Sequence, residues 1–267
     1  MARQCDRKCD DNHPMVTLKV EQQLAGVIAA FNAGRSDEAD VLCASALGDA
    51  VDHPALNHLY AVLRLERGDA PAALAHVQRS LATQPDDLRV LATAVRAAHA
   101  AGAPALALQF AARAAGLAPT SVELRCGHAS AWYELGRHRY AAGDMQAARH
   151  AFEAATLLDA GLVPGWFALS LVLQDLRQTD LAARALERVQ ALKPNHVEAA
   201  VNLGLLRQAQ GDLDAAMLSY GQAYRQQPET LGRIAHALCS LPCGAMWSEQ
   251  RALESALRAT LTPPRRV

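Results

Sequence analysis

The chain has no surplus of charge of either sign: 26 lysines and arginines stand against 27 aspartates and glutamates, for a net charge of −1. A pI near 6.8 gives no bulk electrostatic pull toward nucleic acid or an anionic membrane. No apolar run is long enough to span a bilayer, and the opening MARQCDRKCDDNHP lacks the apolar core of a secretory signal. The expectation is a cytoplasmic protein with no membrane insertion. Enzyme signatures are missing as well. There is no G-x-S-x-G elbow, no G-x-x-x-x-G-K-S/T loop, no H-E-x-x-H and no paired C-x-x-C. The ten histidines are scattered along the chain. No catalytic residue, no cofactor and no enzyme activity are expected. Six cysteines in a reducing compartment are read as free thiols rather than three disulfides.

What is there is a repeat. The stretch from Ala129 to Leu162 holds two amphipathic helical patterns joined by Gly143-Asp144, with Trp132, Leu135, Gly136 and Arg139 at helical spacing in the first. Ala148, Phe152, Ala155 and Leu158 follow at the same spacing in the second. One such hairpin cannot enclose its own apolar face, so it needs neighbours built alike. Steps of 34 residues recover five more copies, at 20–53, 54–87, 88–121, 163–196 and 197–230. The twentieth place is alanine in all six copies: Ala39, Ala73, Ala107, Ala148, Ala182 and Ala216. The fifteenth is glycine in five, Gly34, Gly68, Gly102, Gly143 and Gly211, with Arg177 the exception. Pro85, Pro119, Pro194 and Pro228 close four of the units.

Each column has a physical reason. Glycine takes the left-handed conformation that ends the first helix and turns the chain back. Ser36, Asp69, Asp144, Thr179 and Asp212 follow these turns, where a side-chain oxygen caps the second helix. Alanine at the twentieth place lets two backbones approach, and a larger side chain there overpacks the contact by about 1–3 kcal/mol. Proline punctuates the unit because it cannot continue a helix. Pro71 and Pro104 are acceptable in the first turn of their second helices.

The residues that fix this pattern most firmly are Trp132, Leu135, Gly136, Gly143, Ala148, Phe152 and Ala155. To these are added Trp166, Leu169, Ala182, Leu186 and Pro194, then Leu203, Gly204, Gly211, Ala216, Tyr220, Ala223 and Pro228. In these positions the chain resembles the tetratricopeptide repeat (TPR) family, over about nine-tenths of its length. The first copies are looser, with Gln23 and Asn57 where a large apolar residue is usual. The resemblance implies an all-α fold, a right-handed α-solenoid of helix-turn-helix repeats. It predicts a flexible arm over 1–14, one solenoid over 15–264 and a short tail at 265–267. Residues 231–264 form a degenerate capping hairpin with Glu249, Gln250, Arg251, Glu254, Ser255 and Arg258 facing outward. A cap at Ser248 is expected to start its last helix, over 249–261.

Seven extra residues, 122–128, separate the third and fourth units. Thr120 and Glu123 read as a capping box, so the next helix extends over about 121–142. The extension is either a tolerated length change, or a ledge that meets a partner or locally alters the curvature.

The resemblance further implies a concave groove lined by the first helices, in which partner segments bind. The second, fifth, ninth and twelfth places of each unit should face it. The candidate binding residues are Arg89, Arg96, His99, Tyr133, Arg137, Tyr140, Phe167, Leu171, Gln174 and Asn202. Val201 and Gln208 also fall at groove-facing places. Arginine and tyrosine dominate binding hot spots, so an acidic or carboxylate-bearing peptide is the partner this lining favours. The lysines and asparagines of the family's carboxylate clamp are absent, and of the asparagine ladder of the sugar-transferase repeats only Asn202 is present. The function this implies is a non-catalytic adaptor or scaffold for a protein or peptide partner. Self-association through the apolar groove ends, Leu24, Ile28 and Phe31 at one and Phe167, Leu171, Val201 and Leu205 at the other, is the other use this lining allows.

Two alternatives stand beside it. Cys5, Cys9 and His13 are spaced four apart, one face of a helix, and with a fourth ligand would make a soft-metal or thiol-redox site. They would otherwise be incidental cysteines in a tail. The other alternative is a regulatory module acting beside a separately encoded enzyme. Cys43, in the slot filled by Phe152 and Tyr220 in later units, reads as a small buried hydrophobe. Cys239 and Cys243 read as structural, or, in the metal or redox alternative, as further ligands of that site.

Overall fold

The glycine column does what its position demands. Gly34, Gly68, Gly102, Gly143 and Gly211 all have positive φ, between 69° and 87°. Arg177, the one departure in sequence, adopts the same left-handed backbone at φ 60°. Every one of these turns closes the preceding helix with the same pair of bonds. In the 143 turn, Gly143 N donates to Tyr140 O at 3.0 Å and Asp144 N to Arg139 O at 3.0 Å. In the 177 turn the donors are Arg177 N and Gln178 N, on Gln174 O and Leu173 O, at 2.9 and 2.8 Å. The two otherwise orphaned carbonyls at each helix end are thereby satisfied.

These turns appear in a computed structural model that describes residues 13–49, 53–240 and 250–260. Cys5, Cys9, Cys243 and Ser248 lie outside the described residues, so the cysteines of the proposed site and the final cap are not described, whereas His13 and Pro14, expected in the flexible arm, already belong to the first helix. The described helices are α1 (His13–Asn32), α2 (Ser36–Asp49), α3 (Pro54–Glu66), α4 (Ala70–Thr83), α5 (Leu88–Ala100), α6 (Pro104–Leu117) and α7 (Val122–Ala141). They continue as α8 (Met145–Leu158), α9 (Val163–Asp175), α10 (Thr179–Leu192), α11 (Val197–Ala209), α12 (Leu213–Gln226), α13 (Leu231–Ser240) and α14 (Gln250–Ala259). The described residues contain no strand, and the fold class is all-α, built of helix-turn-helix repeats. The chain divides into two compact units, Met1–Ala131 and Trp132–Val267.

Several helix starts differ from the sequence expectation. Asp69, Asp144 and Asp212 do cap α4, α8 and α12, accepting from the third amide beyond them at 2.9–3.2 Å. Ser36 and Thr179 do not fit the role, because each is already the first helical residue. The cap position of α10 is Gln178, with no side-chain bond to the helix. At α7 the capping oxygen is that of Ser121, which accepts from Leu124 N at 3.3 Å, one residue later than the Thr120 box. The seven added residues are helical: α7 has 20 residues where α3, α5, α9 and α11 have 13.

In the first unit, Val27, Cys43, Leu56 and Leu63 are at most 1% exposed and form one cluster. Burial, with Asp40 adding to it, pushes the Cys43 thiol up to about 12, so it stays protonated and serves as packing. Val77, Val90, Leu91 and Ala94 form the next cluster with Phe110 and Leu124 against it. Asn57 is fully buried yet satisfied. Its amide donates to His53 O at 3.2 Å and its Oδ1 meets His76 Nδ1 at 2.9 Å. That pairing explains why a polar residue survives in an apolar column. A half-buried bridge of Arg64 to Asp40, at 2.7 Å, joins α3 to α2.

In the second unit the packing rule is small against large. A Cβ on Gly136 would lie 2.6 Å from the Phe152 ring, and one on Gly204 would clash with the Tyr220 ring. The glycines are therefore sockets for aromatic side chains on the partner helix. Phe152 packs with Leu169, Leu173, Leu186 and Leu203, and Tyr220 with Ile234, Leu238, Leu253 and Leu257. On α14 the two leucines are buried while Gln250, Arg251, Ser255 and Arg258 are exposed, as a capping helix requires. Cys239 is exposed and so has no place in the core. No helix among the described residues is long and apolar enough to cross a membrane.

Candidate functional site

In the second unit, α7, α8, α9 and the α10–α11 connection enclose a pocket of about 600 Å³. The first-helix periodicity brings five of the expected residues together there: Tyr133, Arg137 and Tyr140 from α7, and Phe167 and Leu171 from α9. They share it with Phe152, Val163, Pro164, Lys193 and His196. Tyr133 and Phe152 stand with ring centroids 5.8 Å apart, and Phe167 and His196 with centroids 4.8 Å apart. His196 is oriented because its Nδ1 accepts from Ala199 N at 3.2 Å, capping α11.

The charges here are partly answered within the protein. Arg137 lies 5.9 Å from the Tyr133 centroid and donates to Glu134 at 3.1 Å, a pair that is largely in water. Tyr140 donates its hydroxyl to Asp175 at 2.7 Å, which raises its pKa by stabilising the protonated phenol. Lys193 makes no ion pair among the described residues. The pocket is thus an aromatic and aliphatic recess with one committed and one uncommitted cation.

Gln174 and Asn202 do not line this pocket. Gln174 turns its amide to Ser170 O at 3.2 Å. Val201 is buried, and Gln208 is wholly so. The Gln208 amide donates to Ala237 O at 3.1 Å and its carbonyl accepts from Tyr220 Oη at 2.9 Å. The groove-facing role expected of Val201 and Gln208 is corrected: Gln208 is engaged by the Ala237 carbonyl of α13, and Val201 packs with Ala200 and Ala223 of α11 and α12, contacts that a 34-residue period does not display.

The first unit carries a smaller cavity of about 230 Å³, lined by Leu24, Ile28, His58, Val62, Asp87 and Arg89 among others. Arg96 and His99 lie on the same helix as Arg89 but do not line that cavity. Asp87 caps α5 and holds Arg89 at 2.9 Å. The Arg89 bond and the two backbone donors hold its carboxyl at about 2, although burial opposes them. His58 meets Thr93 Oγ1 at 2.9 Å, and burial lowers its pKa. Among the described residues no group of three or more His, Cys, Asp or Glu side chains is placed to hold a metal ion. Lys193 and His196 escape a sequence reading that assigns only first-helix places to the groove. The signal is there, since Lys193 and Pro194 stand at a unit boundary where the chain passes the neighbouring first helix.

Stacked helical hairpins, each closed by one left-handed turn and bearing a side-chain-lined recess, define a helical-repeat protein. A family model described as tetratricopeptide repeat matches residues 167–229. Those residues are tetratricopeptide repeats in sequence, and the chain as described has the TPR fold. A crystal structure of MamA protein matches with a TM-score of 0.51 at 22% identity, covering 67% of this chain and 94% of its own. The C-terminal part of a TPR repeat-containing protein from Cytophaga hutchinsonii matches at 0.58 and 14% identity, covering 80% and 83%. YrrB, described as a TPR protein with an unusual peptide-binding site, matches at 0.50 and 15% identity, covering 73% and 96%. At these identities the likeness establishes the fold. No curated protein sequence is matched significantly. The TPR family is in general a non-catalytic one that binds protein or peptide partners.

Proposed function

We propose that the chain is a non-catalytic cytoplasmic adaptor that grips an acidic segment of a partner protein in the pocket of the second unit. The observation that carries it is that recess of about 600 Å³, walled by Tyr133, Phe152 and Phe167 with exposed Arg137 and Lys193 on its lining. Aromatic walls supply contact area for an apolar anchor, and cations beside them fix a carboxylate. The Arg137–Glu134 pair is exposed and worth little in water, so a partner carboxylate displaces it at small cost. Arg89, Arg96 and His99 of the first unit make a separate basic surface on α5. The peptide-binding site described for YrrB is in keeping with this reading.

The test is affinity capture from native lysate, comparing wild type with Arg137→Ala/Lys193→Ala and with Arg96→Ala/Arg137→Ala. Capture should be lost while stability moves by about 0.5 kcal/mol or less per site, since all three side chains are exposed. Undiminished capture, or loss that tracks unfolding, would show that these residues do not hold the partner.

A further inference from the structure

The opposite side of α9 carries a second depression. Pro164, Phe167 and Leu171 face the pocket just described. Trp166, Leu169 and Leu173 fall on the other stripe of the same helix by its 3.6-residue period. They belong to a cleft of about 630 Å³ whose walls come from α8 and α10. Two of its leucines are out of place for a surface: Leu157 is 87% exposed and Leu181 is 42% exposed. Trp166 is held in the cleft by its indole Nε1, which donates to Ala160 O at 3.1 Å.

The charge around this apolar strip is one-sided. Arg184 and Arg188 stand one turn apart on the α10 wall, and neither makes an ion pair among the described residues. Arg188 reaches only the Ala160 carbonyl, at 3.4 Å. On the facing wall, Glu153 is engaged by Arg149 at 2.7 Å. The neighbouring Glu187 of α10 is taken by Arg207 at 3.1 Å. Glu153 and Glu187 are thus paired, Asp159 and Asp180 at the ends of the cleft accept from Gly161 N at 2.9 Å and Gln210 Nε2 at 2.8 Å, and two guanidinium groups on the α10 wall are left facing solvent beside exposed leucine.

We infer that this cleft docks an amphipathic helix of a partner protein, with carboxylates flanking its apolar stripe. A furrow between two helices accepts a third whose apolar side chains recur at i, i+3, i+4 and i+7. Arg184 and Arg188 are four residues apart, about 6 Å along α10. Glutamates one turn apart on the incoming helix meet that spacing, and guanidinium pairs them in bidentate fashion. Because the cleft and the pocket use opposite stripes of α9, the second unit holds two partner segments at once. This reading does not depend on the pocket being occupied.

The experiment uses the full chain and a synthetic peptide of about 18 residues, long enough to be helical, with leucines at that spacing and glutamates flanking them. A twin peptide carries lysine in place of glutamate. Binding is read by peptide anisotropy and by the Trp166 indole proton resonance. The glutamate peptide should bind saturably and move that resonance, and the lysine twin should not. Arg184→Glu/Arg188→Glu should weaken the glutamate peptide about tenfold or more and favour the twin. Leu157→Ser, at an exposed site that leaves the fold intact, should weaken it too. Three results overturn the inference: equal affinity for the twins, no effect of the arginine exchange, or no peptide binding at all. Concentration-dependent dimerisation abolished by Leu157→Ser also overturns it, by placing a second copy in the cleft.

Discussion

Replacing Arg177 by glycine should stabilise the protein. Its φ of 60° lies in the left-handed region, which costs an L-residue about 1–2 kcal/mol relative to right-handed helix. The Arg177 side chain is exposed and makes no hydrogen bond or ion pair among the described residues, so its removal forfeits no contact of that kind. Against the gain stands the greater freedom of glycine in the unfolded chain, about 0.5–1 kcal/mol. The net is a stabilisation centred on about 0.75 kcal/mol and at most about 1.5 kcal/mol, with a Tm rise of about 2–4 °C per kcal/mol gained. Gly211→Ala is the mirror experiment. Nothing lies within 4 Å of a Cβ built there, so the cost is backbone strain alone, with the opposite sign. Urea unfolding followed by circular dichroism and by tryptophan emission measures both. The two probes must coincide for a single free energy to be defined, since stacked repeats can unfold piecemeal. A midpoint unchanged or lowered in Arg177→Gly, with Gly211→Ala destabilised as expected, would refute the claim that backbone conformation governs this place.

Gly204→Ala should destabilise by about 1–3 kcal/mol in the same urea assay, because the new methyl collides with the buried Tyr220 ring. Gln208→Leu should cost about 1–3 kcal/mol by stranding the Tyr220 hydroxyl and the Ala237 carbonyl, while a merely exposed glutamine would cost almost nothing. His58 and His76 both have pKa values lowered below 6.5, chiefly by burial. The unfolded chain therefore binds protons first, and the stability they contribute, complete above pH 6.5, is lost as pH falls through their folded values. The urea midpoint of wild type should drop between pH 7 and 5, and His76→Gln should flatten that drop.

How far the fold can be read in advance depends on whether a feature repeats. The glycine turns, the alanine column and the aspartate caps recur every 34 residues, and each recurrence tests the last. Even Arg177 falls into place, because a backbone register is shared by all six hairpins whichever residue fills it. The Gly136–Phe152 and Gly204–Tyr220 sockets are the same rule at side-chain level, small at the eighth place where the twenty-fourth is large. Features carried by only a minority of the copies are the ones that mislead. Histidine as a cap, seen at His53 and His196, has the same geometry as aspartate but no statistical signature in one sequence. Ser36 and Thr179 are the right residue type for caps, yet the helix starts one residue too early for either.

The site obeys the same division, and that decides which mutations inform. Tyr133, Arg137, Phe167 and Leu171 follow from the period and meet in one pocket. Gln208 satisfies the period equally well and is fully buried, because α13 supplies a carbonyl over it. Period therefore nominates a face, and only long-range packing says whether that face remains open. Lys193 shows the converse: it lies outside any first helix yet reaches the pocket, since the connecting segment must pass the preceding hairpin. A loss of binding in Arg137→Ala/Lys193→Ala with Gln208 intact, and a loss of stability without that signature in Gln208→Leu, would separate the open part of the surface from the covered part. If instead Gln208→Leu abolished partner capture at full stability, the surface at the end of α11 would be open in the working protein, and the packing that assigns Gln208 to the core would not be its functional state.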